Sequence, residues 1–250
     1  MKVFIHGNPE TAVIWENLIQ ILNGQGVDDI MILSPPGFGS ELPIGFQSTR
    51  LAYIDWMIKK LEPFKGDIHL LGHDWGALHV YGLLDQRPDF IKSWAADCAG
   101  MLHPNYHWHA QAQAWQTEGL GEELMYANLQ LSNEERAEVL QASGMPALIA
   151  SKIAPSLSDD MGESILKLYR SAVQPTMQLL GERLVRADLP PGLVFVPEND
   201  PFAGTMDMCY EMAEKLRIHY CLGLPAQGHW WMCNGGAEKA AEALLKHWRD

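Results

Sequence analysis

The chain has 250 residues, of which 47% are hydrophobic and 20% are charged, and its formal net charge is −13 at pH 7. This length suits one α/β domain with an insertion, and the composition argues against a disordered chain because it supplies enough apolar surface for a core. The negative charge disfavours nucleic acids and anionic membranes as partners. No apolar stretch approaches the roughly 18 residues of a membrane span.

Short apolar runs alternate with longer segments of helical periodicity, which is typical of a parallel sheet with crossover helices. Strands are predicted over residues 3–6, 29–33, 68–71, 93–96, 193–197 and 218–222. Helices are predicted over residues 12–23, 48–61, 76–85, 206–216 and 237–248. We therefore predict an α/β fold with a mostly parallel sheet of about six strands.

The alternation stops between about residues 99 and 185, in a helix-like segment rich in Trp, Gln and Met. This segment is too long for a simple crossover. We expect a helical cap over the carboxyl ends of the strands, where open α/β sheets bind ligands. Residues 1–98 and 186–250 would then form the core, with the cap inserted at 99–185. A helical elaboration that makes no contact with the active site is the alternative.

Residues 70–77 read Leu-Leu-Gly-His-Asp-Trp-Gly-Ala, an apolar strand followed by a turn and the start of a helix. This is the context of a nucleophile elbow, in which a strained turn presents one side chain at the mouth of the sheet. Asp74 takes the place of the usual serine. A carboxylate there can attack an electrophilic sp³ carbon and form an ester with it. A turn residue without catalytic function is the structural alternative.

Three further segments follow predicted strands and complete a catalytic set. His6-Gly7-Asn8-Pro9 follows the first strand, Asp200 follows a late strand, and His229 follows the last. The chain order nucleophile, acid, histidine is the α/β-hydrolase order. His229 would activate water, and Asp200 would fix its tautomer.

Two turns offer backbone N–H groups for an oxyanion, at Asn8 and at Trp75. Glu198 and Asp97 are weaker candidates for the acid, because both also follow strands. His73, which precedes the elbow residue, is expected to pack and hydrogen-bond rather than react.

The Gly-His-Asp-Trp-Gly-Ala and His-Gly-Asn-Pro segments resemble the aspartate-nucleophile α/β-hydrolases, the group of haloalkane dehalogenases and epoxide hydrolases. The resemblance covers the core segments over most of the chain and is poor in the cap. Those enzymes carry two more strands before His-Gly, so the resemblance implies an α/β-hydrolase fold with a trimmed sheet. It also implies a small apolar organic substrate and water, with no cofactor and no metal. The oligomeric state, monomer or homodimer, stays open.

The leaving group separates two hypotheses. The Asn8 amide and the Trp75 indole are neutral N–H donors, and they resemble the halide-binding pair of many haloalkane dehalogenases. Tyr169 resembles the second cap tyrosine of epoxide hydrolases, a proton donor to the opening oxygen, and Glu10 fits their His-Gly-x-Pro-Glu pattern. We favour halide release over epoxide opening, because the chain has Gln111 where the first cap tyrosine is expected. A non-catalytic binding protein is the lesser alternative.

Several cap residues have less specific roles. Tyr106 and Tyr126 could replace the missing tyrosine, although neither stands in the matching place. His103, His107 and His109 could suggest a metal site, but no cysteine or clear carboxylate set accompanies them. A structural or pocket-lining function is therefore expected for these histidines. The four cysteines lack metal-type spacing and indicate reduced thiols of a cytoplasmic protein.

Overall fold

The computed structural model describes residues 1–218 and 220–249. Its centre is a six-stranded parallel sheet with the strand order β2-β1-β3-β4-β5-β6. The strands are β1 (Lys2–Ile5), β2 (Ile30–Ile32), β3 (Ile68–Gly72), β4 (Ile91–Ala96), β5 (Gly192–Pro197) and β6 (Tyr220–Leu224). The predicted α/β fold with six strands is confirmed. The last predicted strand includes His219, which lies outside the described residues.

Eleven α-helices occur in the described part of the chain, and six of them lie between β4 and β5. They are α1 (Glu16–Gly24), α2 (Arg50–Leu61), α3 (Trp75–Gln86), α4 (Ala110–Gln116), α5 (Leu120–Leu129), α6 (Asn133–Ala142), α7 (Ala147–Ile153), α8 (Asp159–Arg170), α9 (Thr176–Arg186), α10 (Met206–Lys215) and α11 (Gly236–His247). None of the helices in residues 1–218 and 220–249 combines the length and apolar character needed to cross a bilayer.

Two predicted helices begin later than the sequence pattern suggests, for local reasons. The first opens as a 3-10 turn over Ala12–Trp15 before α1 begins. The second begins at Arg50, because Ser48 has a left-handed φ of 51° and Thr49 caps the helix through the backbone N–H of Ala52.

The inner strands β1, β3, β4 and β5 are buried on both faces along most of their length, which explains why they appear as nearly continuous apolar runs. The edge strands β2 and β6 are partly exposed. Neighbouring residues point to opposite faces. In β3, Leu70 joins one apolar core and Leu71 the other, and both are fully buried. The first core includes side chains of α2 and α3, and the second includes those of α1 and α11. The sheet is therefore covered on both sides, and its carboxyl edge is left to carry polar groups.

Candidate active site

The structure brings the predicted catalytic residues together at the carboxyl edge of the sheet. Asn8 follows β1, Asp74 follows β3, Asp200 follows β5 and His229 follows β6. Asn8, Asp74 and His229 line one cavity, and Asp200 lies behind His229. The parallel strands account for this convergence, because all their carboxyl ends meet at the same edge.

Asp74 occupies a strained turn between β3 and α3. Its φ of 52° and ψ of −123° lie outside the regions that non-glycine residues favour. Two glycines let the helix approach the sheet this closely: a Cβ on Gly72 would lie 2.5 Å from the Gly76 carbonyl oxygen, and a Cβ on Gly76 would overlap the Ile5 carbonyl. The turn thus has the geometry of a nucleophile elbow.

The loop after β1 supplies a hydrogen bond to the Asp74 carboxylate. The backbone N–H of Asn8 donates to Asp74 Oδ1 at 3.0 Å. Only glycine fits at position 7, because a Cβ there would overlap the Asp74 carboxylate. The Asn8 N–H therefore lies where an oxyanion on the Asp74 carboxyl group would form.

The environment of Asp74 makes its carboxylate less stable than a solvated one. Burial raises the pKa of Asp74 to about 6, and the charge of Glu10 adds to this rise. His229, His73 and the hydrogen bond from Asn8 act in the opposite direction. The ionised form dominates above pH 6, which leaves a reactive, poorly solvated anion in the cavity.

His229 is oriented by Asp200 and faces Asp74. Its Nδ1–H donates to Asp200 Oδ2 at 2.8 Å, and Asp200 Oδ1 accepts the Phe202 backbone N–H at 2.8 Å. The free Nε2 lies 3.9 Å from Asp74 Oδ2, beyond direct hydrogen-bond distance. Burial lowers the pKa of His229, but the Asp200 charge and hydrogen bond outweigh it and raise the pKa overall. Glu198, the weaker candidate acid, is exposed.

Asp97 contacts the other buried histidine instead. Its Oδ2 lies 2.5 Å from His73 Nδ1 and accepts the Trp231 indole N–H at 2.8 Å. Its Oδ1 accepts the backbone N–H of Asp74 at 3.1 Å. Asp97 therefore holds the elbow and His73, whereas Asp200 holds His229.

Glu10 completes a second buried cluster, Glu10–His73–Asp97, in which every side chain is fully buried. Glu10 Oε1 lies 3.2 Å from His73 Nε2 and accepts the Trp230 indole N–H at 2.6 Å. Burial lowers the pKa of His73, but the two carboxylates outweigh it and raise the pKa well above its usual value. Sequence reasoning missed this cluster, although Glu10 and His73 each adjoin a catalytic turn.

The cavity above Asp74 has a volume of about 850 Å³, including its open mouth, and a mainly apolar wall. Most wall residues come from the segment between β4 and β5, among them Trp115, Met125 and Leu157. This segment thus contributes most of the cavity wall. Asn8, His109 and Tyr169 add polar groups to the wall, whereas Trp75 does not line it.

The predicted leaving-group residues differ in their access to the cavity. Both side-chain amide atoms of Asn8 and the Trp75 Nε1 are buried without a hydrogen-bond partner in the described chain. The Tyr169 ring covers Trp75 edge-on, with 5.1 Å between ring centroids. Burial and the Asp74 charge raise the pKa of Tyr169 well above 10. The Trp75 indole lowers the pKa of Tyr169 slightly, although its N–H forms no well-aligned hydrogen bond.

The other candidate tyrosines lie outside the site. The Tyr106 hydroxyl donates to the Phe202 carbonyl at 2.9 Å, and the Tyr126 side chain is 67% exposed. The cap histidines are also separated, because His103 contacts Glu211 at 3.0 Å while His109 lines the cavity.

Two clusters have donor atoms close enough for a metal ion: Glu10 with His73 and His229, and Cys98 with Asp200 and His229. In each cluster, at least one residue already makes a side-chain hydrogen bond. Glu10 accepts the Trp230 indole N–H, and His229 Nδ1 is committed to Asp200. The arrangement fits acid–base chemistry without requiring a metal ligand set.

Comparison with known proteins places this geometry in a family. A family model described as the alpha/beta hydrolase fold matches residues 3–234. A loop variant of a haloalkane dehalogenase from Bradyrhizobium elkanii is 19% identical, with a TM-score of 0.70 over 98% of this chain and 89% of that chain. An epoxide hydrolase from Vigna radiata is 18% identical, with a TM-score of 0.72 over 98% and 89%. Comparison with curated proteins finds no significant match.

A third solved structure, a lipase-esterase related protein from Clostridium acetobutylicum, is 17% identical with a TM-score of 0.68, covering 98% of this chain and 93% of that chain. Identities this low establish a shared fold. The family match includes all four segments that carry the candidate residues, and the similarities support a hydrolase enzyme. The chain belongs to the α/β hydrolase fold family.

Proposed function

We propose that this protein is a hydrolase in which the Asp74 carboxylate attacks an electrophilic carbon and forms a covalent alkyl ester. One observation carries the proposal: a buried carboxylate occupies the apex of the elbow, and Nε2 of an Asp200-bound histidine faces it at 3.9 Å. The nucleophile needs no activating base, because a carboxylate above its pKa is already ionised.

The second step returns the enzyme to its starting state. His229 Nε2 takes a proton from water, and the water oxygen attacks the carboxyl carbon of the Asp74 ester. The Asn8 N–H stabilises the oxyanion, and Asp200 stabilises the imidazolium. The bond between the Asp74 carboxyl carbon and the substrate oxygen then breaks, and the leaving oxygen takes the proton from His229, so that the product departs as an alcohol. Asp74 retains the water oxygen and returns to a carboxylate when it loses the remaining proton of that water.

Tyr169 supports an epoxide as the substrate. An epoxide oxygen needs a proton when its bond to carbon breaks, and Tyr169 is a protonated phenol on the same cavity wall as Asp74. Trp75, half of the expected halide pair, lies beneath the Tyr169 ring and off the wall. This geometry favours an epoxide hydrolase with a diol product over the dehalogenase that the sequence favoured.

A haloalkane dehalogenase is the second candidate function. The Asn8 amide and the Trp75 indole are buried without partners, and unpartnered N–H groups beside a nucleophile suit a halide. In both cases we propose that residues 99–185 act as a cap that gives the substrate an apolar environment. The apolar wall fits a small organic substrate.

The test traps the ester. A His229→Gln variant, incubated with styrene oxide or 1-bromobutane, is expected to gain the mass of the alkyl group on a peptide that contains Asp74. Without its base, the variant should hydrolyse the ester about 10³-fold more slowly. His229→Gln combined with Asp74→Asn is the control and should gain no mass. Absence of an adduct from both substrates would reject the proposal, and diol against bromide release by the wild type would decide between the candidates.

A further inference from the structure

His109 presents a hydrogen-bond donor whose tautomer is set by the fold. It stands at the N-terminus of α4, where its Nδ1 accepts the backbone N–H of Ala112 at 3.3 Å. A ring nitrogen that accepts a hydrogen bond carries no proton, so the proton of the neutral imidazole is on Nε2. Within residues 1–218 and 220–249, no hydrogen bond engages that Nε2.

The position of His109 places its side chain on the wall of the cavity that contains Asp74. The residue lines the same cavity as Asp74 and Tyr169. Its ring packs edge-on against Phe202 at 5.1 Å between centroids, and Phe202 packs against His229 at 5.0 Å. His109 is thus one side chain away from the catalytic base.

The ring of His109 stays neutral at physiological pH. Burial lowers its pKa to about 4, and the charge of His229 acts in the same direction, while Asp200 opposes both. Within the described chain, no carboxylate forms an ion pair with it. His109 therefore acts as a neutral N–H donor and not as a protonated imidazolium.

We propose that His109 is a catalytic residue that donates a hydrogen bond from Nε2 to the epoxide oxygen, beside Tyr169, while Asp74 opens the ring. The inference rests on the proposed epoxide hydrolase function and names the second oxygen ligand. It also explains how the chain functions with Gln111 in place of a first cap tyrosine, since the required donor comes from two residues earlier.

The two donors have different tasks in the opening step. As an Asp74 oxygen bonds to carbon, the epoxide carbon–oxygen bond breaks and its electron pair stays on the oxygen. Tyr169 transfers its proton to that oxygen and becomes a phenolate, which is reprotonated once His229 has taken a proton from water. His109 keeps its proton, because a neutral imidazole that lost it would become an imidazolate, and its N–H stabilises the developing charge.

Because His109 only stabilises the developing charge on the epoxide oxygen, ring opening and ester hydrolysis should depend on it differently. The oxygen is already a hydroxyl group when water attacks the Asp74 ester, so hydrolysis gains little from the His109 donor. Ring opening should therefore slow when the donor is removed, and ester hydrolysis should not. A residue that only supports α4 would affect both steps or the fold.

The experiment measures ester formation from styrene oxide by rapid quench and intact mass, in the His229→Gln background. His109→Asn keeps a side-chain oxygen that can cap α4 but is too short to reach the Nε2 position. His109→Phe keeps the ring and removes the donor. Both are expected to form the ester about 10²-fold more slowly, as is typical when one oxyanion donor is lost. His107→Asn is the matched control, because His107 is exposed and does not line the cavity.

The outcomes separate this inference from the proposed function. If both His109 variants keep the unfolding midpoint of the parent and form the ester at its rate, the His109 assignment is wrong and the Asp74 mechanism stands. If the parent His229→Gln forms no ester with styrene oxide, epoxide opening is rejected and the His109 assignment falls with it. In the otherwise wild-type chain, a loss of ester hydrolysis equal to the loss of ring opening would assign His109 to structural support.

Discussion

The two buried histidines at the centre of the site, His73 and His229, have similar surroundings but different expected functions. We expect His73 to be structural and His229 to act as a base. Their ring centroids are 4.5 Å apart, and each Nδ1 contacts an aspartate, Asp97 or Asp200. The difference is at Nε2. His73 faces the Glu10 carboxylate at 3.2 Å, whereas His229 faces the nucleophile and the cavity. Both ring nitrogens of His73 face carboxylates that hold the ring in place. His229 has its Nδ1 bound to Asp200, and its Nε2 remains available to accept a proton.

The Glu10–His73–Asp97 cluster also ties the catalytic loops together. Its two carboxylates accept N–H groups from the loops after β1, β3 and β6, and these donors are Gly7, Asp74, Trp230 and Trp231. Each bond joins a loop that carries a catalytic group to a completely buried charge. The cluster thus holds the loops that carry the candidate residues, and the charge of His73 lowers the pKa of both Asp74 and His229.

The largest expected effect is a decrease in the free energy of unfolding when His73 is replaced. His73→Gln would leave Glu10 and Asp97 buried without their cation, which typically costs about 3–5 kcal/mol. His229→Gln should cost less, because it removes the hydrogen-bond partner of one carboxylate rather than the cation shared by two, and Asp200 keeps the hydrogen bond from the Phe202 N–H. Urea unfolding at pH 7 measures both. Equal costs would contradict the distinction between a structural and a catalytic histidine.

The sequence alone predicted the strands of the sheet and the turns that carry the candidate residues. The apolar runs predicted all six strands to within a few residues, and the signal was most continuous for the inner strands, which are buried on both faces. The sequence also predicted that Asp74, Asn8, Asp200 and His229 lie close together, because each follows a strand within a few residues. Parallel strands then bring such residues to one edge without further information.

The remaining details depend on side-chain packing that no local pattern encodes. Asp97 and Asp200 both follow strands, and only the three-dimensional fold decides which histidine each contacts. Whether Trp75 or Tyr169 reaches the cavity depends on how helices between β4 and β5 lie over the sheet. For the same reason, His109 was not distinguished from the two neighbouring histidines of its segment.

The second expected effect is the change in stability on replacing an aspartate with asparagine. It has opposite signs for Asp74 and Asp200, the two aspartates that face His229. The folded pKa of Asp74 is raised from 3.8 to about 6, so its ionisation increasingly destabilises the fold as the pH rises above about 4, and the full cost is reached above pH 6. This difference corresponds to about 3 kcal/mol. Asp74→Asn should therefore be more stable than the wild type by about that amount at pH 8, and the gain should vanish below pH 4.

Asp200 is the internal control for that prediction. Despite burial, its pKa is lowered by the charge and hydrogen bond of His229. Its ionised form therefore stabilises the fold above the unfolded pKa, and this contribution is lost as the pH falls through the folded pKa. Asp200→Asn should destabilise the protein at pH 8, and thermal unfolding across pH 4–8 compares the two. A stability change of the same sign in both variants would contradict the assigned electrostatics.

The smallest expected effect is a difference in stability between two Trp→Phe variants. It tests whether the Glu10–His73–Asp97 cluster is ionised. Trp231 donates its indole N–H to Asp97 at 2.8 Å, and Trp94 donates to the Pro190 carbonyl at 3.0 Å. Both side chains are fully buried, so Trp→Phe removes similar volume at each site. Hydrogen bonds to charged groups contribute about 1 kcal/mol more than neutral ones. Urea unfolding should show that Trp231→Phe costs about 1 kcal/mol more than Trp94→Phe. Equal costs would mean that Asp97 carries little net charge in the folded protein, and the contrast between the two histidines would then rest only on the Glu10 carboxylate beside His73 Nε2.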